Sequence, residues 1–237
     1  MNTPVDTLFK CAAYFVAGTD TGVGKTRVTG GLLRAARKQG ARVVGMKPVA
    51  AGSIIEDGRQ ISEDAVYIAL SSGQMSPYEL LNPYCLPEPL SPHIAAERAG
   101  VRIDVGHIVQ SALRLSRHRD LLLIEGAGGW YAPINDQQTM ADVARALAVP
   151  VLLVVGLRLG CLNHALLSAQ AVERCGCVLR GWIGSQVEPD FSAREENIAM
   201  LTRLLGTAPL ALLAHAPDPG GDAAQLDAAA AALISVR

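Results

Sequence analysis

The sequence has no surplus of charge of either sign: 21 Lys and Arg stand against 22 Asp and Glu, for a formal net charge of −1 at pH 7. That balance offers no basic footprint to nucleic acid and no polybasic anchor to a membrane, so an anionic ligand must be held by a local site. Paired cysteine motifs are missing too. Cys11, Cys85, Cys161, Cys175 and Cys177 are odd in number and include no CxxC, which argues against a disulfide framework or a zinc site and for free thiols in a reducing cytosol. No apolar run approaches the ~18 residues of a membrane span. Residues 1–17 lack the basic n-region of a signal peptide, and Lys10 interrupts their apolar stretch. Disorder is excluded, because 50% of the 237 residues are hydrophobic and only 18% are charged. The expectation is a soluble cytoplasmic protein, of a length that suits one domain over residues 1–237.

What is present is an alternation of short apolar runs with stretches of helical period. Strands are expected at Ala12–Ala17, Arg42–Met46, Leu121–Ile124 and Val151–Val155, with weaker signals at Val178–Ile183 and Leu210–Leu213. Helices are expected over Lys25–Lys38, Glu63–Leu70, Asp104–Arg117, Asn163–Cys175, Arg194–Leu205 and Ala223–Ile234, and a loop-rich stretch runs to about Pro92. Unbroken apolar strands alternating with helices predict an α/β fold with a mainly parallel sheet covered on both faces. Ligands in such folds sit at the carboxyl ends of the strands.

The strongest local signal lies there. Gly18-Thr-Asp-Thr-Gly-Val-Gly-Lys-Thr26 joins a strand to a helix. Phosphate needs backbone N–H groups that turn inward, a helix N-terminus, a lysine and a hydroxyl for magnesium; Gly22, Gly24, Lys25 and Thr26 supply them. The pattern deviates from GxxxxGK[ST], since Thr19 takes the first glycine position and Gly18 comes one residue early. Leu121-Leu-Leu-Ile-Glu125 is an apolar strand ending in an acid, the form of a second nucleotide motif, and Gly126-Ala-Gly-Gly129 lets backbone approach a ligand. A surface glutamate capping a strand would read the same way. Asp64, in Ser62-Glu-Asp-Ala65, is either a metal ligand or a first-turn acid behind an N-cap serine. Pro48 holds Lys47 extended at a strand end, where its ammonium either meets a second anion beside the P-loop or is simply solvated.

Together these pieces resemble the dethiobiotin synthetase family. The resemblance extends through KPVAAGS at Lys47–Ser53, NPY at Asn82–Tyr84, EPLSPHIAA at Glu88–Ala96, EGAGGWYAP at Glu125–Pro133, PVLLVVGLRLGCLNHALL at Pro150–Leu167 and GW at Gly181–Trp182. It implies an ATP- and Mg²⁺-dependent carboxylation of 7,8-diaminopelargonic acid with CO₂ or bicarbonate. The carbamate attacks the γ-phosphate, and the neighbouring amine then displaces phosphate to close a cyclic urea. Carried onto this chain, Lys47, Lys25 and Thr21 are the catalytic residues, and Thr26, Asp64 and Glu125 hold the metal. The nucleotide is held by Gly22, Val23, Gly24, Lys25, Thr26 and Arg27, by Asp64, by Glu125, Gly126, Ala127 and Gly128, and by Ser185 and Gln186. Substrate is held by Lys47 and Ala51 and, across a homodimer interface, by Gly160, Cys161, Leu162 and Asn163, whose helix N-terminus receives the carboxylate.

Two departures are visible. Ala51 stands where the family usually has a serine, a loss of about 1 kcal/mol if one hydrogen bond goes unreplaced. Gly184-Ser-Gln186 stands where the family commonly has an asparagine that reads adenine, and Leu212-Leu-Ala-His215 replaces a Gly-Glu-Ile-Pro-like stretch. A hydroxyl reads a base edge less selectively than an amide, so relaxed preference among ATP and other nucleoside triphosphates is expected. MinD/ParA-type switch ATPases share a deviant P-loop, but they carry a signature lysine where this chain has Asp20. The cobyrinic acid amidating family needs a glutaminase domain for which this chain has no room.

Overall fold

A computed structural model describes residues 8–73, 76–216 and 222–235; the rest of the expected 1–237 domain lies outside the described residues. In chain order β1 (Ala12–Gly18) leads into α1 (Lys25–Lys38) and β2 (Val43–Met46). A side region follows: β3 (Val49–Ala51), the hairpin β4 (Ile54–Glu56) and β5 (Arg59–Ile61), α2 (Glu63–Ser72), α3 (Tyr78–Leu81), β6 (Tyr84–Leu86) and α4 (Pro92–Arg98). The chain then alternates regularly through α5 (Val105–Leu115), β7 (Leu121–Glu125), α6 (Met140–Leu147), β8 (Val151–Leu157) and α7 (Cys161–Arg174). It ends with β9 (Leu179–Gln186), α8 (Arg194–Leu204), β10 (Ala211–Leu213) and α9 (Ala223–Ile234).

The main sheet has six strands in the order β10-β9-β8-β1-β7-β2, and every pairing in it is parallel. Period-two burial fills both faces. Tyr14, Val16, Leu121, Leu123, Leu152 and Val154 pack with residues of α1, α2 and α9. Phe15, Ala17, Leu122, Ile124, Leu153 and Val155 pack with α3 to α8 on the other side. This is the covered parallel sheet that the unbroken apolar strands predict. Within α1, a Cβ on Gly30 would lie 2.3 Å from the Tyr67 ring of α2, and one on Gly31 would lie 2.4 Å from Leu226 of α9. Two helices therefore sit directly on the backbone of α1. Tyr14 Oη donates to Leu233 O at 3.0 Å, fixing the far end of α9.

Several elements go beyond the expectation. The parallel pair β3–β6 and the antiparallel hairpin β4–β5 involve three residues per strand, too few to show a period. α3, with four residues, and α4, opened by Pro92, are equally short signals. α6 starts at a reciprocal cap between Thr139 and Asp142, in which Asp takes the place of the usual Glu or Gln. α7 starts at Cys161 rather than Asn163, and α5 spans Val105–Leu115 with Asp104 as its N-cap. Among the described residues no helix is long and apolar enough to cross a membrane.

Topology positions the site. From β1 the chain crosses out to β2, returns to β7, and continues on the other side of β1 at β8. Connections diverge at β1, and a crevice opens above its carboxyl end. Gly18, Met46 and Glu125 end neighbouring strands at that edge.

Candidate active site

Between β1 and α1 the backbone turns through two left-handed glycines, Gly22 at φ 73° and Gly24 at φ 89°. Gly24 is the N-cap of α1 and no side chain caps the helix, so its first N–H groups are free to meet an anion. A Cβ at Gly24 would lie 2.7 Å from Ser185 Oγ; the loop thus rests on the end of β9. Lys25 is 7% exposed and its Nζ donates to Asp20 O at 2.9 Å. Burial, reinforced by the Lys47 charge and opposed by Glu125, Asp64 and Asp20, pushes its pKa down to about 8. Phosphate would restore the proton. At pH 9 nucleotide binding is therefore expected to take up a proton, and at pH 7 much less, as read by calorimetry in buffers of different ionisation enthalpy. In the free protein the same shift has the opposite sign to a salt bridge: between about 8 and 10.5 the unfolded chain holds more protons, so stability rises with pH in that window.

Glu125 ends β7 fully buried at 0% exposure, which rules out a solvated strand cap. Its Oε1 accepts from Thr26 Oγ1 at 2.7 Å and from Lys47 Nζ at 2.5 Å, bringing together residues 99 and 78 positions apart in sequence. Lys47, 5% exposed, also pairs with Asp64 Oδ2 at 2.9 Å. Desolvation disfavours its ammonium, but Glu125 and then Asp64 outweigh it and the pKa is raised. Asp64 is likewise penalised by desolvation and still lowered, chiefly by the Lys47 charge. The N-cap reading of the α2 start holds, since Ser62 Oγ accepts from Ala65 N at 3.5 Å, and the same turn presents Asp64 to Lys47.

The donor set fits Mg²⁺. Thr26, Asp64 and Glu125 offer hard oxygens at one point, and Glu125 Oε2 is buried without a hydrogen-bond partner. Among the described residues no group of three or more His, Cys, Asp or Glu could hold a metal by itself. A Mg²⁺ ion bound here would complete its shell with waters and phosphate oxygens.

A cleft of about 820 Å³ joins these parts. Thr21, Gly22, Gly24, Lys25, Thr26, Lys47, Ala51, Asp64, Glu125, Ala127 and Gly128 line it. The facing wall, Pro89–Pro92 with Ala132 and Pro133, is absent from the expected site residues; the proline-bounded Glu88-Pro-Leu-Ser-Pro stretch was the available signal. Other expected residues lie outside the cleft. Val23 is buried in the core at 1% exposure, and Gly126 N donates to Val16 O. Arg27 forms a two-bond pair with Asp222 at 2.5 and 2.7 Å and donates to Ala214 O. Ser185 is 1% exposed. Gln186 Nε2 donates to Glu188 O and Pro189 O while its Oε1 accepts from Arg194. Gly160, Leu162 and Asn163 surround the uncapped start of α7, away from the cleft, and Cys161 is buried there.

Fold and site together define a nucleotide-binding α/β protein of the P-loop NTPase-like class. A family model described as an AAA domain matches residues 12–219. Among solved structures the chain is similar to the MinD cell division protein of Aquifex aeolicus, with a TM-score of 0.61 over 94% of this chain and 97% of that one, at 13% identity. It is similar also to the septum site-determining protein MinD of Pyrococcus horikoshii, solved with Mg-ADP (TM-score 0.57, 15% identity, 94% and 96% covered). At such identities the likeness is one of fold alone. Curated relatives are far more similar. The ATP-dependent dethiobiotin synthetase BioD of Nitrosospira multiformis is 46% identical over 213 residues, 90% of this chain and 92% of the relative. That of Aromatoleum aromaticum is 43% identical over 216 residues, 91% and 95% of the two chains. The chain belongs to the dethiobiotin synthetase family.

Proposed function

We propose that this chain, as one P-loop domain over residues 1–237, catalyses the ATP-dependent conversion of 7,8-diaminopelargonic acid and CO₂ to dethiobiotin. The observation that carries the reading is the cluster in which buried Lys47 and Glu125 meet Asp64 and the P-loop's own Thr26 at one cleft. One amine of the diamine adds to CO₂ and loses a proton to give a carbamate. A carbamate oxygen bonds to the γ-phosphorus as the bond to ADP breaks. The second amine then bonds to the carbamate carbon, loses a proton and expels phosphate, closing the ring. Lys47 and Lys25 offset negative charge on the carbamate and the moving phosphoryl group, and Thr21 donates a hydrogen bond at the substrate side. Thr26, Asp64 and Glu125 hold Mg²⁺, which supplies charge neutralisation of the phosphates. The residues position the reactants and stabilise charge rather than act as strong acids or bases.

Substrate binding by a homodimer is part of this reading. The α7 start is uncapped, with Gly160 at φ 92°. Leu159 beside it is 91% exposed, and Leu167 farther along α7 is 59% exposed. A second copy seated there would bring Gly160–Asn163 of the partner subunit to the cleft, with the N–H groups of that helix start that have no backbone partner on the substrate carboxylate. Relaxed base choice belongs here as well. Ser185 is buried against Gly24, and the Gln186 amide is held by its own loop, so neither side chain presents a free amide to adenine. A cytoplasmic location fits cysteines that are all unpaired.

The test is incubation with diamine, bicarbonate, Mg²⁺ and each of four nucleoside triphosphates, following dethiobiotin by mass spectrometry and phosphate release in parallel. One phosphate per ring, dependent on the diamine, is expected, with GTP and CTP supporting turnover within about tenfold of ATP, one hydrogen bond's worth. Phosphate release indifferent to the diamine would overturn the reading, and a strict ATP requirement would overturn the base preference alone.

A further inference from the structure

Asp20 is the one P-loop acid, and all three of its oxygens are engaged. Its carbonyl accepts from Lys25 Nζ at 2.9 Å, Oδ1 accepts from Thr21 N at 2.7 Å, and Oδ2 accepts from Arg158 Nη2 at 2.9 Å. Arg158 comes from the loop after β8, 138 positions away. Its own carbonyl accepts from Cys161 N at 3.0 Å, the bond that closes the turn into α7. Thr19 adds two stitches between the same segments: its N–H donates to Val154 O at 3.0 Å, and its Oγ1 accepts from Gly156 N at 3.4 Å. A continuous path of polar contacts therefore runs from the phosphate lysine, through both ends of Asp20 and Arg158, to the first N–H of α7.

We propose that Asp20 and Arg158 are a positioning pair that couples nucleotide binding to diamine binding. The inference rests on the functional reading above, in which the α7 start receives the substrate carboxylate in the neighbouring subunit. Coupling needs an element with two arrangements that both ligands bias. Lys25 provides it, since its ammonium rests on the Asp20 carbonyl and a phosphate competes for it. Drawing Lys25 away frees the Asp20 peptide to shift, Arg158 follows its carboxylate, and the turn closed by the Arg158 carbonyl moves with it. The pair is not a folding device: the Arg158 and Asp20 side chains are 34% and 48% exposed, and such surface pairs contribute little to stability. Its loss is read in linkage and not in melting temperature.

The experiment is calorimetry on the full-length protein with a non-hydrolysable β,γ-imido ATP analogue, Mg²⁺ and the diamine, each ligand titrated with and without the other. In the unaltered protein each ligand is expected to tighten the other by the same factor, roughly tenfold, because coupling is reciprocal. In Arg158→Gln that factor falls towards one while affinity for the nucleotide alone changes less than about threefold, as a lost exposed ion pair allows. Arg158→Lys keeps part of the coupling. Asp20→Asn, which retains an acceptor for Thr21 N, reproduces the glutamine variant. Undiminished coupling in Arg158→Gln, or none in the unaltered protein, overturns the pair's role while leaving the enzyme reading standing. Failure of the unaltered protein to bind diamine at all overturns both.

Discussion

Replacing Lys47 with methionine is expected to lower ring closure by roughly 10³-fold, the scale of losing a group aimed at transition-state charge in a water-poor site. Methionine keeps most of the stem's length and volume, so the change removes charge more than packing. The ammonium it removes pairs directly with both Glu125 Oε1 and Asp64 Oδ2. Breaking a buried pair from one side costs about 3–5 kcal/mol; here Glu125 stays desolvated with the Thr26 hydroxyl as its remaining donor, while Asp64, 48% exposed, turns to water. The same variant is thus expected to melt early, and Mg²⁺ to restore part of the loss by supplying positive charge to the same two acids. Single-turnover formation of dethiobiotin, with melting curves at zero and millimolar Mg²⁺, separates the two effects. Ring closure near the unaltered rate would remove Lys47 from the chemistry, whatever the melting curves show.

Gly24→Ala carries the second largest effect, and its origin is steric. At φ 89° a side chain costs about 1–2 kcal/mol, and its Cβ would also press on Ser185 Oγ at 2.7 Å. With overpacking adding about 1–3 kcal/mol, the loop either loses its shape or drives the end of β9 away, and nucleotide affinity drops by roughly 100-fold or more. The two causes are separable. Gly24→Ala combined with Ser185→Gly removes the collision and leaves the backbone strain, so affinity should recover only in part. Identical affinities for the single and double variants would mean that the contact with Ser185 is irrelevant to the loop.

Sequence legibility followed the range of the interactions. The P-loop could be read because its requirements are local: glycines that turn the backbone, a lysine, and a hydroxyl at the start of a helix. Glu125 could be read because a strand buried on both faces shows as an unbroken apolar run whose end is conspicuous. Asp64 could not be settled locally, since its tie to Lys47 joins a helix start to the end of β2, and the serine cap beside it is equally real. Resemblance, not periodicity, raised it to a candidate ligand. The Asp20–Arg158 contact was illegible for the same reason: it depends on which loops the neighbouring strands β1 and β8 bring side by side, and no spacing along the chain encodes that. The cleft's facing wall showed only as a proline-bounded stretch, with nothing to say which loop it faces. Three-residue strands such as β3 and β6 leave no pattern because their pairing, not their composition, makes them strands.

The helices seated on Gly30 and Gly31 decide where the molecule is able to move. With Tyr67 and Leu226 touching its backbone, α1 has no clearance to slide or rotate on its neighbours. Nucleotide arrival is therefore absorbed in the turn before the helix, which flexes against an immobile bed, and the amide protons of α1 beyond its first turn should exchange equally slowly before and after phosphate binds.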